Sequence, residues 1–184
     1  NQGDPYGVLA TRYDVATGDS ISSISVYISS ENNPQDFNGE RSLIASVYHA
    51  GSDAVPDETI TLISSEEYIL QPGDAGKWVT IPFIKDTTAL NFLEPGVYFA
   101  AIKTQTGDSS YIYLGADPTV PTPRQSCFAF ISASGWGAIS LNPCINLNFI
   151  RPAKADITFN INMGNAIRQG TFTPATTNVW LKIT

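Results

Sequence analysis

Basic residues are scarce in this chain. Ten Lys and Arg are set against 17 Asp and Glu, a net charge of -7, and they form no run. A phosphate-binding face needs clustered cations, so no nucleic-acid interface is expected. Attraction to anionic lipid is disfavoured for the same reason. No stretch reaches the roughly 20 apolar residues of a membrane-spanning helix, so no membrane insertion is expected. Histidine occurs once, as His49 in "SVYHAG", and cysteine twice. No H-E-x-x-H motif is present, and nothing matches the G-x-S-x-G nucleophile turn. Cys127 and Cys144 stand outside any C-x-x-C spacing, which argues against zinc, haem and thiol-redox chemistry. Helical periodicity is lacking too: no window of a dozen residues sustains an apolar repeat at 3.6, and 14 Gly and 12 Pro interrupt most candidates. Charged residues are only 15%, against about 25% in ordinary soluble domains. Ser, Thr and Asn take their place.

What is present is alternation with period two. "ISSISVYIS" sets Ile24, Val26 and Ile28 on one face and Ser23, Ser25 and Tyr27 on the other. "KWVTIPF" sets Val79, Ile81 and Phe83 together, with Trp78 and Thr80 opposite. "SLIASVY", "ETITLIS", "GVYFAAIK", "SSYIYLG", "SCFAFIS" and "CINLNFI" continue the pattern, separated by turn signals such as "ATGD", "QPGDAG" and "LEPG". Short alternating strands at close spacing predict an all-β protein, an antiparallel β-sandwich of jelly-roll or Greek-key type. Residues 1–150 account for a complete sandwich, and "RPAKA" (151–155) reads as a linker because Pro152 breaks a ladder. Residues 156–184 carry two further alternating runs, Ile157, Phe159, Ile161 and Met163, then Val179, Leu181 and Ile183. Two strands cannot bury both faces alone. This segment is therefore expected to be part of a second β domain or a strand-exchange segment, pairing with other domains of the polypeptide or with neighbouring subunits. The chain opens on Asn1 without a basic and then apolar leader, and it is expected to be a processed or excised piece.

"QPGDAGKWVTIPFIKDTTALNFLEPGVYFAAIK" and "SCFAFISASGWGAISLNPCINLNFI" carry a family pattern. Through Trp78, Gly96, Tyr98, Trp136 and Phe149, residues 20–150 resemble β-sandwich modules of secreted and cell-surface proteins of the Bacteroidota. The resemblance implies export by the type IX secretion route and a secreted or surface location. It also implies O-glycosylation at Asp followed by Ser or Thr, which here selects Ser20 in Asp19-Ser20-Ile21 and Thr87 in Asp86-Thr87-Thr88. No N-x-S/T sequon occurs. The tail "ADITFNINMGNAIRQGTFTPATTNVWLKIT" is similar to the start of starch-binding-like immunoglobulin folds.

Candidate chemistry is sparse. The carboxylate pairs Asp36 with Glu40 and Glu66 with Glu67 sit in polar segments and read as solvated surface rather than as a glycosidase dyad. Asp36, Asn38 and Glu40 alternate in "NNPQDFNGE" and offer hard oxygen ligands, a candidate calcium site; equally, turns favour these residues for backbone reasons. Trp136, between Gly135 and Gly137, is the best candidate platform for a sugar ring, and Tyr111 and Tyr113 share one face of their own strand. The competing expectation is that Trp78, Tyr98 and these tyrosines pack the sandwich or a domain interface. Cys127 and Cys144, 17 residues apart, could close a loop across a hairpin, a bridge worth about 3 kcal/mol in the chain-entropy model; the alternative is two free thiols. Together these readings predict no enzyme. They predict a non-catalytic extracellular structural or adhesive module of a larger secreted bacterial protein, or a carbohydrate-binding module of a multidomain secreted enzyme, with polysaccharide as its partner.

Overall fold

A computed structural model describes residues 6–150 except 38, 40, 52–53, 84–90, 107–110, 120–125 and 132–134. The chain divides into two units between Arg151 and Pro152. All described residues belong to the first, so the expected linker 151–155 and segment 156–184 lie outside them. The expected all-β architecture is what the chain adopts. Among the described residues there are eleven strands: β1 (Tyr6–Val15), β2 (Asp19–Ile28), β3 (Arg41–Ala50), β4 (Pro56–Ser64), β5 (Tyr68–Ile69), β6 (Lys77–Pro82), β7 (Phe92–Leu93), β8 (Gly96–Thr106), β9 (Cys127–Ile131), β10 (Gly135–Ala138) and β11 (Ile145–Phe149). Among the described residues the only helices are single 3-10 turns at Pro34–Asp36 and Pro72–Asp74.

The strands form two antiparallel sheets. A seven-stranded sheet runs β10-β9-β1-β8-β3-β4, with β5 also on β3. A four-stranded sheet runs β11-β2-β6, with β7 also on β2. The period-two pattern decides which side chains meet between them. Ile24, Val26 and Ile28 of β2 and Val79 and Ile81 of β6 face Leu43, Ala45, Val47, Tyr98, Ala100 and Ile102 of the larger sheet, all nearly or fully buried. A register shift at Asn148/Phe149 against β2 lets Ile21 face inward as well.

The larger sheet has a second core on its other face. Phe99 and Phe128, on the strands flanking β1, meet edge to face at 5.4 Å. Beneath them Ala10 pairs with Ala101 on one side and Phe128 on the other. Small side chains there leave room for the rings. Tyr48 of β3 and Trp136 of β10 lie at opposite flanks of this face, four strand spacings apart, or about 19 Å in a flat sheet. Their ring centroids are 6.1 Å apart. Side-chain reach covers part of that gap, and the sheet curls over the rest; Trp136 also meets its register partner Phe130 on β9 at 5.4 Å.

This topology corrects the expected disulfide between Cys127 and Cys144. Both are free thiols. Cys127 begins β9, which makes its hairpin with β10, whereas Cys144 immediately precedes β11, which crosses to the other sheet to pair with β2. The two cysteines thus do not face each other across one hairpin. The Cys127 Sγ lies instead 3.8 Å from the Asn142 side-chain oxygen.

One side chain ties the sheets together by hydrogen bonds. The Tyr13 hydroxyl, on β1, donates to the Ile145 carbonyl at 3.0 Å and accepts from the Leu147 N–H at 3.1 Å. Both groups belong to the edge strand β11, so Tyr13 occupies pairing positions that an exposed edge would offer another chain. Burial pushes its phenol above the usual value, despite the opposing Leu147 N–H. An acid whose folded pKa is raised binds more protons folded than unfolded above the unfolded pKa of about 10, so stability falls as pH rises from there. Thermal unfolding is therefore expected to show a midpoint unaffected by Tyr13 ionisation below pH 9 and declining above pH 10. Tyr13→Phe should flatten that alkaline decline while lowering stability at neutral pH by about 1 kcal/mol. An identical alkaline slope in the variant would remove Tyr13 from this role.

Candidate functional site

The outward face of the four-stranded sheet carries what the alternation leaves over. Ser25 and Thr80 are partners across β2 and β6, their hydroxyls 2.8 Å apart. One pair along, Tyr27 stands opposite Trp78, the rings edge to face at 5.8 Å and 66°. Trp78 is 49% exposed although it sits on a strand of a packed sheet.

Beyond the end of β2 a different segment becomes the neighbour. Leu114 bridges Ile28, and Ala116 bridges Pro143. Gly115 donates its N–H to the Tyr27 carbonyl at 2.8 Å and accepts from the Cys144 N–H at 2.9 Å. The segment is thereby wedged between β2 and the lead into β11. Only glycine fits at 115, because a Cβ there would lie 2.5 Å from Cδ1 of Tyr27. Asn32, 3% exposed, fastens the other end. Its amide donates to the Tyr113 carbonyl at 2.7 Å and accepts the Tyr113 N–H at 2.9 Å, as a strand backbone would.

Between this wedge and the Tyr27–Trp78 pair opens a cleft of about 550 Å³, within the roughly 300–1,000 Å³ of small-molecule sites. Ser29, Glu31, Asp117 and Cys144 supply its polar groups, and among the described residues no Lys, Arg or His lines it. The Asp117 carboxylate is oriented by the Thr119 N–H at 2.8 Å and hydroxyl at 2.6 Å. Burial, reinforced by Asp117, pushes the Cys144 thiol up, so it stays protonated at neutral pH. A protonated thiol is a poor nucleophile. Native alkylation at pH 8 is therefore expected to label Cys144 slowly and Cys127, 2% exposed, more slowly still, while denatured, non-reduced protein takes up two labels. A single label or none under denaturing, non-reducing conditions would contradict the free thiols.

The residues singled out by sequence are dispersed. Trp136 lies on β10, not in a loop, and is half buried in the second core; a positive φ of 74° at Gly135 turns the chain into that strand. Its indole nitrogen is buried without a hydrogen-bond partner among the described residues. Tyr111 and Tyr113 are 75% and 50% exposed, but on an extended segment outside any strand, and neither lines the cleft. Asp36 pairs with the buried Arg41 guanidinium at 3.2 Å and accepts from the Asn33 amide at 3.2 Å. A cationic side chain thus holds the carboxylate that the calcium expectation assigned to a metal; Asn38 and Glu40 lie outside the described residues. Among the described residues no three His, Cys, Asp or Glu side chains converge as a metal site. Ser20 sits near the start of β2, half buried and paired with Phe92, and Thr87 lies outside the described residues. His49 is exposed, its Nδ1 2.8 Å from the Ala50 carbonyl oxygen.

Tyr27 and Trp78 were legible as outward-facing positions, but Trp78 was expected to pack and Tyr27 was assigned no role. The signal was Trp78 itself, a large aromatic on the polar phase of "KWVTIPF". Among the described residues no helix is long and apolar enough to cross a membrane. No protein-family model, no curated protein and no solved structure matches this chain.

Proposed function

We propose that the chain is a non-catalytic, extracellular adhesive module of a larger secreted or surface-attached bacterial protein, and that it holds its partner at the Tyr27–Trp78 cleft. The observation that carries this reading is an aromatic pair left half open on a sheet face, beside two carboxylates of which Asp117 is oriented by Thr119. Leaving a Trp half wet forgoes part of the 1.5–3 kcal/mol or so that burial of a large apolar side chain contributes. A ligand that covers it recovers that term. The cleft contains a thiol, a hydroxyl and two carboxylates, and its thiol is kept protonated, an arrangement suited to holding rather than to attack. Export by the type IX route remains part of this proposal through the resemblance of residues 20–150.

The test is adhesion. Beads coated with the chain, or with Trp78→Ala, are flowed over surfaces of plant cell wall, mucin and collagen. Wild-type beads should be retained on at least one surface and Trp78→Ala beads released from it. Equal release of both from all three would overturn the reading.

A further inference from the structure

We infer that the cleft is a saccharide site selective for neutral, hydroxyl-rich hexose polymers, with Trp78 as the stacking platform and Glu31 and Asp117 as acceptors for sugar hydroxyls. This rests on the proposed adhesive function and names its ligand class.

The edge-to-face geometry at 66° matters first. In such a pair the edge of one ring occupies the face of the other, so the two rings do not present two open faces to one guest. That disfavours an aromatic cage for a quaternary ammonium or a lysine head, which needs convergent faces. A single open ring suits a pyranose, whose axial C–H groups form one apolar side.

The polar groups point the same way. Carboxylates accept and cannot donate, and a sugar hydroxyl has a proton to give. Asp117 is held in place by Thr119 before any ligand arrives, so little ordering is required on binding. Two carboxylates, a lining without Lys, Arg or His among the described residues and a chain charge of -7 disfavour uronic and sulfated sugars, and equally nucleotides. The platform is rigid as well: Tyr27 is clamped by Gly115, and Trp78 is fixed by its register against Tyr27.

Cys144 lines the same cleft and serves as a reporter that needs no mutation. The experiment combines affinity electrophoresis through soluble xyloglucan, galactomannan, mixed-linkage β-glucan, polygalacturonate and heparin with Cys144 alkylation in the presence of each. At least one neutral polymer is expected to retard the wild-type chain and to slow Cys144 alkylation at least threefold, with no effect from polygalacturonate or heparin. Trp78→Ala should weaken the retardation at least tenfold. Tyr111→Ala, exposed but outside the cleft, should leave it unchanged. Retardation by no neutral polymer, by the acidic polymers instead, or without Cys144 protection would overturn the inference, as would choline or lysine displacing the polymer. Bead retention on collagen without binding of any polysaccharide would overturn this inference alone. Bead release from every surface would remove the adhesive reading with it.

Discussion

Phe99→Ala is expected to lower the unfolding free energy by about 3–5 kcal/mol, the usual range for truncating a buried aromatic. Phe99 is fully buried at the centre of the second core, against Phe128 at 5.4 Å. Its neighbours cannot collapse into the vacated space. Ala10 and Ala101 are held at register positions in the ladder, and Phe128 is fixed from its own strand. The cavity term is therefore expected in full. Against a total stability of about 5–15 kcal/mol, the loss is about a fifth or more. At about 2–4 °C per kcal/mol for a chain of this size, the melting temperature should fall by roughly 6–20 °C. Tyr111→Ala, at an exposed position, should stay within about 0.5 kcal/mol of wild type. A Phe99→Ala loss below about 1 kcal/mol in urea unfolding would mean that this face is not a packed core.

Asp36→Ala is expected to cost about 2–4 kcal/mol, a large effect for a residue in a polar loop. The reason lies in its partner. The Arg41 side chain is 7% exposed, and its Nη2 reaches the Asp36 carboxylate at 3.2 Å. It also donates to the Tyr111 carbonyl at 3.4 Å and lies 5.9 Å from the centre of the Phe37 ring. Removing one member of a buried pair leaves the other charge uncompensated, at about 3–5 kcal/mol when both are buried. Asp36 is itself 45% exposed, and water reaching the vacated site offsets part of that. Asp36→Asn keeps an acceptor and should lose less. Equal losses in the two variants would show that the charge contributes nothing. Arg41→Met in the Asp36→Ala background should recover part of the stability, because the stranded cation is then gone.

The strands and their inward faces were legible in the sequence because they rest on nearest-neighbour geometry. A strand alternates by construction, so Ile24, Val26 and Ile28 had to share a face, as did Val79 and Ile81. Tyr27 and Trp78 were equally bound to point the other way. Period two carries no information about which strands meet. Tyr27 and Trp78 are 51 positions apart (78 − 27), and only the β2–β6 register sets them opposite each other. The cleft wall depends on a segment, 113–117, whose alternation suggested a strand and whose actual partners are the ends of two others.

The cysteines and Trp136 show the same division. Cys127 and Cys144 lie close along the chain, and local reasoning joined them through a hairpin. The chain instead crosses to the other sheet at β11, because Ile145 and Leu147 bury between the sheets only when paired with β2. Trp136 between two glycines suggested an exposed loop, whereas β10 pairs it with Phe130 and the seven-stranded sheet brings it against Tyr48. That contact spans strands far apart in the sheet and cannot be read from the residues around Trp136. By itself the sequence determined the class of fold and the direction in which each side chain on β2 and β6 points, both consequences of backbone geometry over a few residues. Tertiary structure decided which of the outward aromatics stay half open and which are covered, because that depends on contacts between strands far apart along the chain.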